Sequence, residues 1–194
     1  CMQWYSTMAI SASPLIPSKP TNRFTDNPSL SVVLMAFPVL CPMSARFSFL
    51  KAKNFTNEEI MEGIKFAHDH GVKVYITANI LAHNDDLAGV EEYFEELKTI
   101  RPDALIISDP GVFTIAKRVL PDMEIHISTQ ANNTNYGTYF FWHELGAKRV
   151  VSARELSLKE IKEIREHIPE DMEIESFIHG AMCISYSGRC LLSN

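Results

Sequence analysis

ALIISDPGVFTIAKRVLPDMEIHIS, residues 104–128, decides how this chain folds. ALIIS (104–108) is a short apolar run rich in β-branched residues, the pattern of a strand buried on both faces. Asp109 is an N-cap type, and Pro110 stands in the first helical turn, where its missing N–H costs nothing. A helix therefore opens there and closes before Pro121. EIHIS (124–128) reads as the next strand. A strand, a helix and a strand in so short a span form a right-handed parallel unit whose sheet must be covered by helices.

The same alternation continues outward on both sides. Upstream, Thr56 and Glu59 form a capping box that starts a helix ending near His70, with Gly71 as its left-handed stop. Residues 72–80 (VKVYITANI) read as a buried strand. Residues 85–100 place Val90, Tyr93, Phe94 and Leu97 at helical spacing. Downstream, residues 134–145 predict a helix closed by Gly146, RVVS (149–152) a short strand, and Ser157 with Glu160 a second capping box whose helix runs to His167. Residues 172–178 predict the last strand. The pattern is a helix followed by five parallel strands separated by four helices. Intervals of ~20 to 30 residues between strands fit a (β/α)8 barrel, of which five strands are only a part. A doubly wound open sheet fits the periodicity equally well.

At 194 residues the chain has the size of one domain or a piece of a larger protein. With 46% apolar and 22% charged residues it resembles neither disordered, collagenous nor coiled-coil sequences. A net charge of -6 argues against a broad basic surface for nucleic acid, and DNA is not an expected partner. The first fifty residues differ from the rest. They hold six of the ten prolines and only one acid, Asp26, against Lys19, Arg23 and Arg46. That density of breakers predicts an irregular, non-native or disordered leader over 1–50, with the regular domain over 51–194. The apolar stretch 30–40 is too short to span a bilayer and is interrupted by Pro38, so neither membrane insertion nor secretion is expected, and a cytoplasmic location is. A chain opening on Cys1 reads as part of a longer protein.

In either parallel architecture the chemistry sits at the carboxyl ends of the strands. The residues there are polar: Asn79, His83 and Asn84; Ser108 and Asp109; Thr129, Gln130, Asn132 and Asn133; Arg154 and Glu155; His179 and Gly180. Taken singly, Asp109, Asn84 and Thr129 are explained as helix caps. Together, a turn such as STQANN supplies neutral donors and acceptors suited to orienting a small polar ligand. His126, between Ile125 and Ile127, faces opposite to them and reads as a core histidine. His68, His70, His143 and His167 lie near helix ends and are assigned no role. No zincin helix, nucleophile elbow or phosphate-binding glycine loop is present.

The densest signal is ESFIHGAMCISYSGRCLLS, residues 175–193. Cys183 and Cys190 are spaced too widely for a zinc knuckle, and an iron-sulfur cluster requires four thiolates. Gly180 and Gly188 are placed for tight backbone turns. Cys183 could act as a nucleophile with His179 as its base. Taken on residues alone, two buried free thiols in a reducing compartment are the favoured reading.

This stretch resembles the signature of peptidase family U32: Glu, Phe two residues on, Gly-Ala-Met-Cys, Gly-x-Cys and Ser. AKNFTNEEI, the turn at 79–84, ALIISDPG, IHISTQAN and ARELS extend the resemblance over about residues 50–194, and SDPG with SGRCLLS is most similar to the branch that hydroxylates tRNA. The resemblance implies an α/β fold, an incomplete TIM-like (β/α) barrel. It implies a parent that is an iron-sulfur-dependent tRNA uridine hydroxylation factor, with a 4Fe-4S cluster and prephenate as co-substrate. Family members are also classed as collagenase-like peptidases, and others hydroxylate ribosomal RNA or ubiquinone.

Cys183 and Cys190 match the first two cluster ligands by position. The family's other two lie downstream of Asn194, and its first barrel strand has no counterpart in residues 1–45. The expected site is Glu175, His179 and Cys183 for catalysis, Asn79, His83, Gln130, Asn132, Arg154 and Glu155 for substrate, and Cys183 with Cys190 for metal. tRNA is the expected partner, with a second U32-type subunit as a further one. A peptidase using Cys183 and a non-catalytic substrate-binding subunit are the alternatives. Five strands with open edges predict a chain that is inactive alone and aggregates or needs a partner.

Overall fold

A computed structural model describes residues 9–12, 30–34, 56–80, 82–177 and 186–188. Its centre is a seven-stranded sheet in sequence order: β1 (Ala9–Ala12), β2 (Leu30–Leu34), β3 (Lys73–Thr77), β4 (Ala104–Ile107), β5 (Glu124–Ile127), β6 (Arg149–Val151) and β7 (Glu173–Glu175). β2 to β7 run parallel, and β1 pairs antiparallel with β2. The helices are α1 (Asn57–Asp69), α2 (Asn84–Ile100), α3 (Pro110–Val119), α4 (Tyr136–Glu144) and α5 (Leu158–His167).

The caps behave as the sequence predicts. The Thr56 backbone N–H donates to Glu59 Oε2 (2.7 Å) while Glu59 N–H donates to Thr56 Oγ1 (3.2 Å). Ser157 and Glu160 repeat the arrangement at α5. Asp109 Oδ1 accepts from Val112 N–H at 2.9 Å, with Pro110 as the first residue of α3. Gly71 takes φ 71°, the left-handed stop expected after α1.

Two layers follow from strand alternation. Val74, Ile76, Leu105, Ile107, Ile125, Ile127 and Val150 project to one side and pack with Ile60, Ile64, Phe94, Leu97, Val112, Phe113, Tyr139, Trp142 and Ile164 of the helices. Tyr75, Ala104 and Ile106 form a separate cluster on the other side. The helices thus cover one face. A doubly wound sheet reverses its strand order and places helices on both faces. The strand order is consecutive and unreversed, which makes the sheet an arc of a TIM-like barrel. Among the described residues the barrel is not closed.

Within the segment 1–50, expected to be an irregular leader, two short strands are described: Leu30–Leu34 lies parallel to β3 with Ser31 opposite Lys73 and Leu34 opposite Ile76, and Ala9–Ala12 pairs with it in turn. β2 occupies the place before β3 that the resemblance left without a counterpart. LSVVL falls in a proline-free window between Pro28 and Pro38, and a strand needs only about five such residues.

The inner face carries an unusual load of charge. His126 is fully buried there, its Nε2 donating to Glu124 Oε1 at 2.7 Å and its ring meeting Tyr75 edge-on at 4.7 Å. Arg149, opposite His126 in the register, donates through Nε to Glu173 Oε2 (2.7 Å) and through Nη1 to Glu175 Oε2 (3.2 Å), with its guanidinium 5.6 Å from the Tyr75 ring centre. A buried guanidinium is tolerated when paired and hydrogen-bonded, as Arg149 is, whereas His126 Nδ1 is buried with no partner among the described residues. The hydrogen bond from His126 holds the Glu124 carboxyl below its ordinary value against the opposing effect of burial.

Candidate functional site: the carboxyl ends of the strands

Each parallel strand delivers its next one to five residues to the same end of the sheet, and there the side chains knit together. Asn79, after β3, donates from Nδ2 to Ser128 Oγ after β5 (2.9 Å), and that hydroxyl also accepts from the Gln130 N–H (3.2 Å). Thr129 Oγ1 donates to the Ser152 carbonyl after β6 (3.0 Å), and Ser152 Oγ shares a 2.8 Å hydrogen bond with Ser176 Oγ after β7. Four strand ends are thus joined through hydroxyls and amides that carry no charge.

Two more contacts bring residues 186–188 onto this face. Ser187, 2% exposed, accepts at Oγ from the backbone N–H of Arg154 (3.0 Å) and from its Nε (3.2 Å), while the Ser187 N–H donates to Glu155 Oε1. Gly188 lies flat against the turn after β5. A Cβ there would come 2.8 Å from the Gln130 carbonyl carbon, closer still to its oxygen, and 2.9 Å from Asn132 Nδ2. Gly188 stands in a turn, as expected from sequence, but without a left-handed φ, so its glycine is required by close approach.

Charge at this end comes from Arg154 and Glu155. The Arg154 guanidinium stands 5.8 Å from the centre of the exposed Phe177 ring. At Glu155, burial works to raise the carboxyl, but the N–H groups of its own backbone and of Ser187, the Ser187 hydroxyl and the Arg154 charge together lower it. Several acceptors and donors are sealed from water without a partner among the described residues: Asn79 Oδ1, Asn132 Oδ1, Asn133 Nδ2 and Thr77 Oγ1. Such atoms are costly unless something bonds them.

Of the residues expected to bind substrate, Asn79, Gln130, Asn132, Arg154 and Glu155 come together here. His83 does not: it is the exposed residue before α2, with its N–H held by Asp86 Oδ2 (2.8 Å). Asn133 is structural, its Oδ1 accepting from Trp142 Nε1 at 2.9 Å. Glu175 points to the inner face, on Arg149. His179, Gly180, Cys183 and Cys190 lie outside the described residues, as do Cys1 and Cys41. Sequence reading took in Ser128 only as part of the STQANN turn and missed the serines 152, 176 and 187, because a lone serine after a strand carries no local signal; their function depends on neighbours from other strands.

A one-sided arc of parallel strands with a polar lattice at their carboxyl ends defines a TIM-like α/β domain. The family is then specific: the Peptidase family U32 model matches residues 34–194, and the chain belongs to that family. It is 50% identical over 143 residues to tRNA hydroxylation protein P1 of Bacillus subtilis (strain 168), covering 74% of this chain and 33% of that protein. It is 47% identical over 152 residues to tRNA hydroxylation protein P of Escherichia coli (strain K12), covering 76% and 33%. The chain therefore spans about a third of the length of these relatives. Among solved structures it resembles the U32 peptidase Mk0906, with a TM-score of 0.53 and 17% identity over 64% of this chain and 54% of that one, a likeness of fold. Among the described residues no helix is long and apolar enough to cross a membrane.

Proposed function

We propose that this chain is part of a tRNA hydroxylation factor, acting on uridine and working in the cytoplasm where its substrate is. The observation that carries the reading is the high identity to two tRNA hydroxylation proteins. The geometry supports it: hydroxyl and amide groups line the strand ends, a surface for orienting a planar polar ligand, with Arg154 beside them for an anionic group of substrate or co-substrate. Prephenate, the co-substrate implied by the family resemblance, is such an anion.

A 4Fe-4S cluster is part of the proposal. Among the described residues no group of three or more His, Cys, Asp or Glu converges as a metal site. Gly188 packs closely on the β5 turn, so residues 186–188, which fall between Cys183 and Cys190 in sequence, lie at the strand ends, and paired thiolates are the donors a cluster takes. The two thiols fit as half of a ligand set, and the proposal assigns the other half to the remainder of the parent protein. When bound, the cluster would supply redox or Lewis-acid chemistry; this chain's own residues bind and orient. Asn79 and Asn132 offer buried acceptors to ligand N–H groups, and Arg154 offers a cation.

The test is expression of the intact protein in cells lacking their own tRNA hydroxylation factor, with tRNA nucleosides read by mass spectrometry. A uridine gaining one oxygen is expected, and its loss in Cys190→Ser. A protein that restores no hydroxyuridine yet cleaves peptides with Cys190→Ser unimpaired refutes the proposal in favour of a Cys183 peptidase.

A further inference from the structure

Ser187 and Gly188 are neither thiolates nor conventional catalytic groups, yet both are held tightly at the strand-end face. Ser187 is buried and bonded through both its N–H and its Oγ to consecutive residues, Arg154 and Glu155, after β6. Gly188 presses its backbone on the turn after β5 so tightly that no Cβ fits. Two different strand ends therefore grip two adjacent residues. In sequence this grip falls between Cys183 and Cys190, with one residue, Arg189, separating Gly188 from the latter. Chain connectivity passes any shift at the grip to both thiols.

We propose that Glu155, Ser187 and Gly188 form a clasp that fixes residues 186–188 at the strand ends and through the chain restrains Cys183 and Cys190, making them positioning residues for cluster binding and not ligands. The inference rests on the cluster reading above, and it reassigns Glu155 from substrate contact to support of the segment. Adding a methyl at Gly188 must push the segment off Gln130 and Asn132. Removing the Ser187 hydroxyl strands the Arg154 backbone N–H.

The test uses the intact protein, purified anaerobically, as wild type, Gly188→Ala, Ser187→Ala and a control, Gly63→Ala, whose added Cβ meets nothing within 4 Å in α1. Three readouts are taken: iron and sulfide per chain, the rate at which Cys183 and Cys190 are alkylated in the metal-free protein, and the thermal unfolding temperature. Iron affinity should fall about tenfold in each clasp variant, the scale on which groups behind metal ligands act. Alkylation should speed up several-fold, with unfolding temperature unchanged and the control like wild type. Wild-type iron content and thiol protection in both clasp variants would overturn the proposal. So would loss of iron only together with global unfolding in both, since that role would be structural. A wild type that binds no iron, but whose cysteines become exposed in both clasp variants, would sustain the clasp while sinking the cluster reading.

Discussion

Replacing Arg149 by methionine should destabilise the domain by stranding carboxylates on the inner face of the sheet. The Arg149 side chain is 10% exposed, with Glu175 at 19% and Glu173 at 40%. Removing one partner of a buried ion pair typically costs ~3–5 kcal/mol. Glu173 keeps access to water, so its share approaches the ~0–1 kcal/mol of a surface pair. The loss that remains is chiefly that of Glu175 and of the guanidinium over Tyr75, about 2 kcal/mol in all when scaled down from the buried case. With a urea dependence of about 2 kcal/mol per molar, the unfolding midpoint should fall by about 1 M.

The assay is urea denaturation of the intact protein followed by tryptophan fluorescence, to which the buried Trp142 of α4 reports. Arg149→Met combined with Glu173→Gln and Glu175→Gln should recover most of the loss, because the stranded charges are gone. An unchanged midpoint in the single variant would refute the reasoning. A triple variant no better than the single would show that the side chain acts by packing and not by charge.

Three further outcomes are expected. Glu124 has a carboxyl depressed by its hydrogen bond with His126, so it contributes stability above its ordinary value of 4.5, lost as pH falls through the depressed folded value; Glu124→Gln should flatten the acid limb of a stability-pH curve. Asn133→Ala deprives the buried Trp142 Nε1–H of its acceptor and should cost about 1–3 kcal/mol, visible as a lowered urea midpoint and an altered tryptophan emission. Asp109→Ala removes the α3 cap and should cost ~1 kcal/mol in the same denaturation assay, with Asp109→Ser retaining most of it, and with tRNA hydroxylation unaffected under conditions where the protein stays folded.

That last pair separates caps from site residues, which sequence alone does not do. Asp109 and Asn79 both follow strands and both are polar. Only their neighbours distinguish them: Asp109 turns back on its own helix, while Asn79 reaches across to Ser128, 49 residues away in sequence. The signature at 175–193 was legible as a family mark. The work of Ser187 and Gly188 was not, because it is done against Arg154, Glu155 and Gln130.

Local information determined the helix starts at Thr56, Asp109 and Ser157, the alternation that requires parallel strands, and the family itself, since each depends on residues a few positions apart or on an ordered motif. Tertiary structure decided the rest. It placed the described helices on one face and so chose the barrel arc over a doubly wound sheet. It set Leu30–Leu34 beside β3 despite the prolines around it, paired Arg149 with two glutamates on the inner face, and pressed Gly188 against a carbonyl 58 residues away. These are contacts between residues far apart in the chain, and a pattern of near neighbours carries no record of which distant residue a strand end will meet.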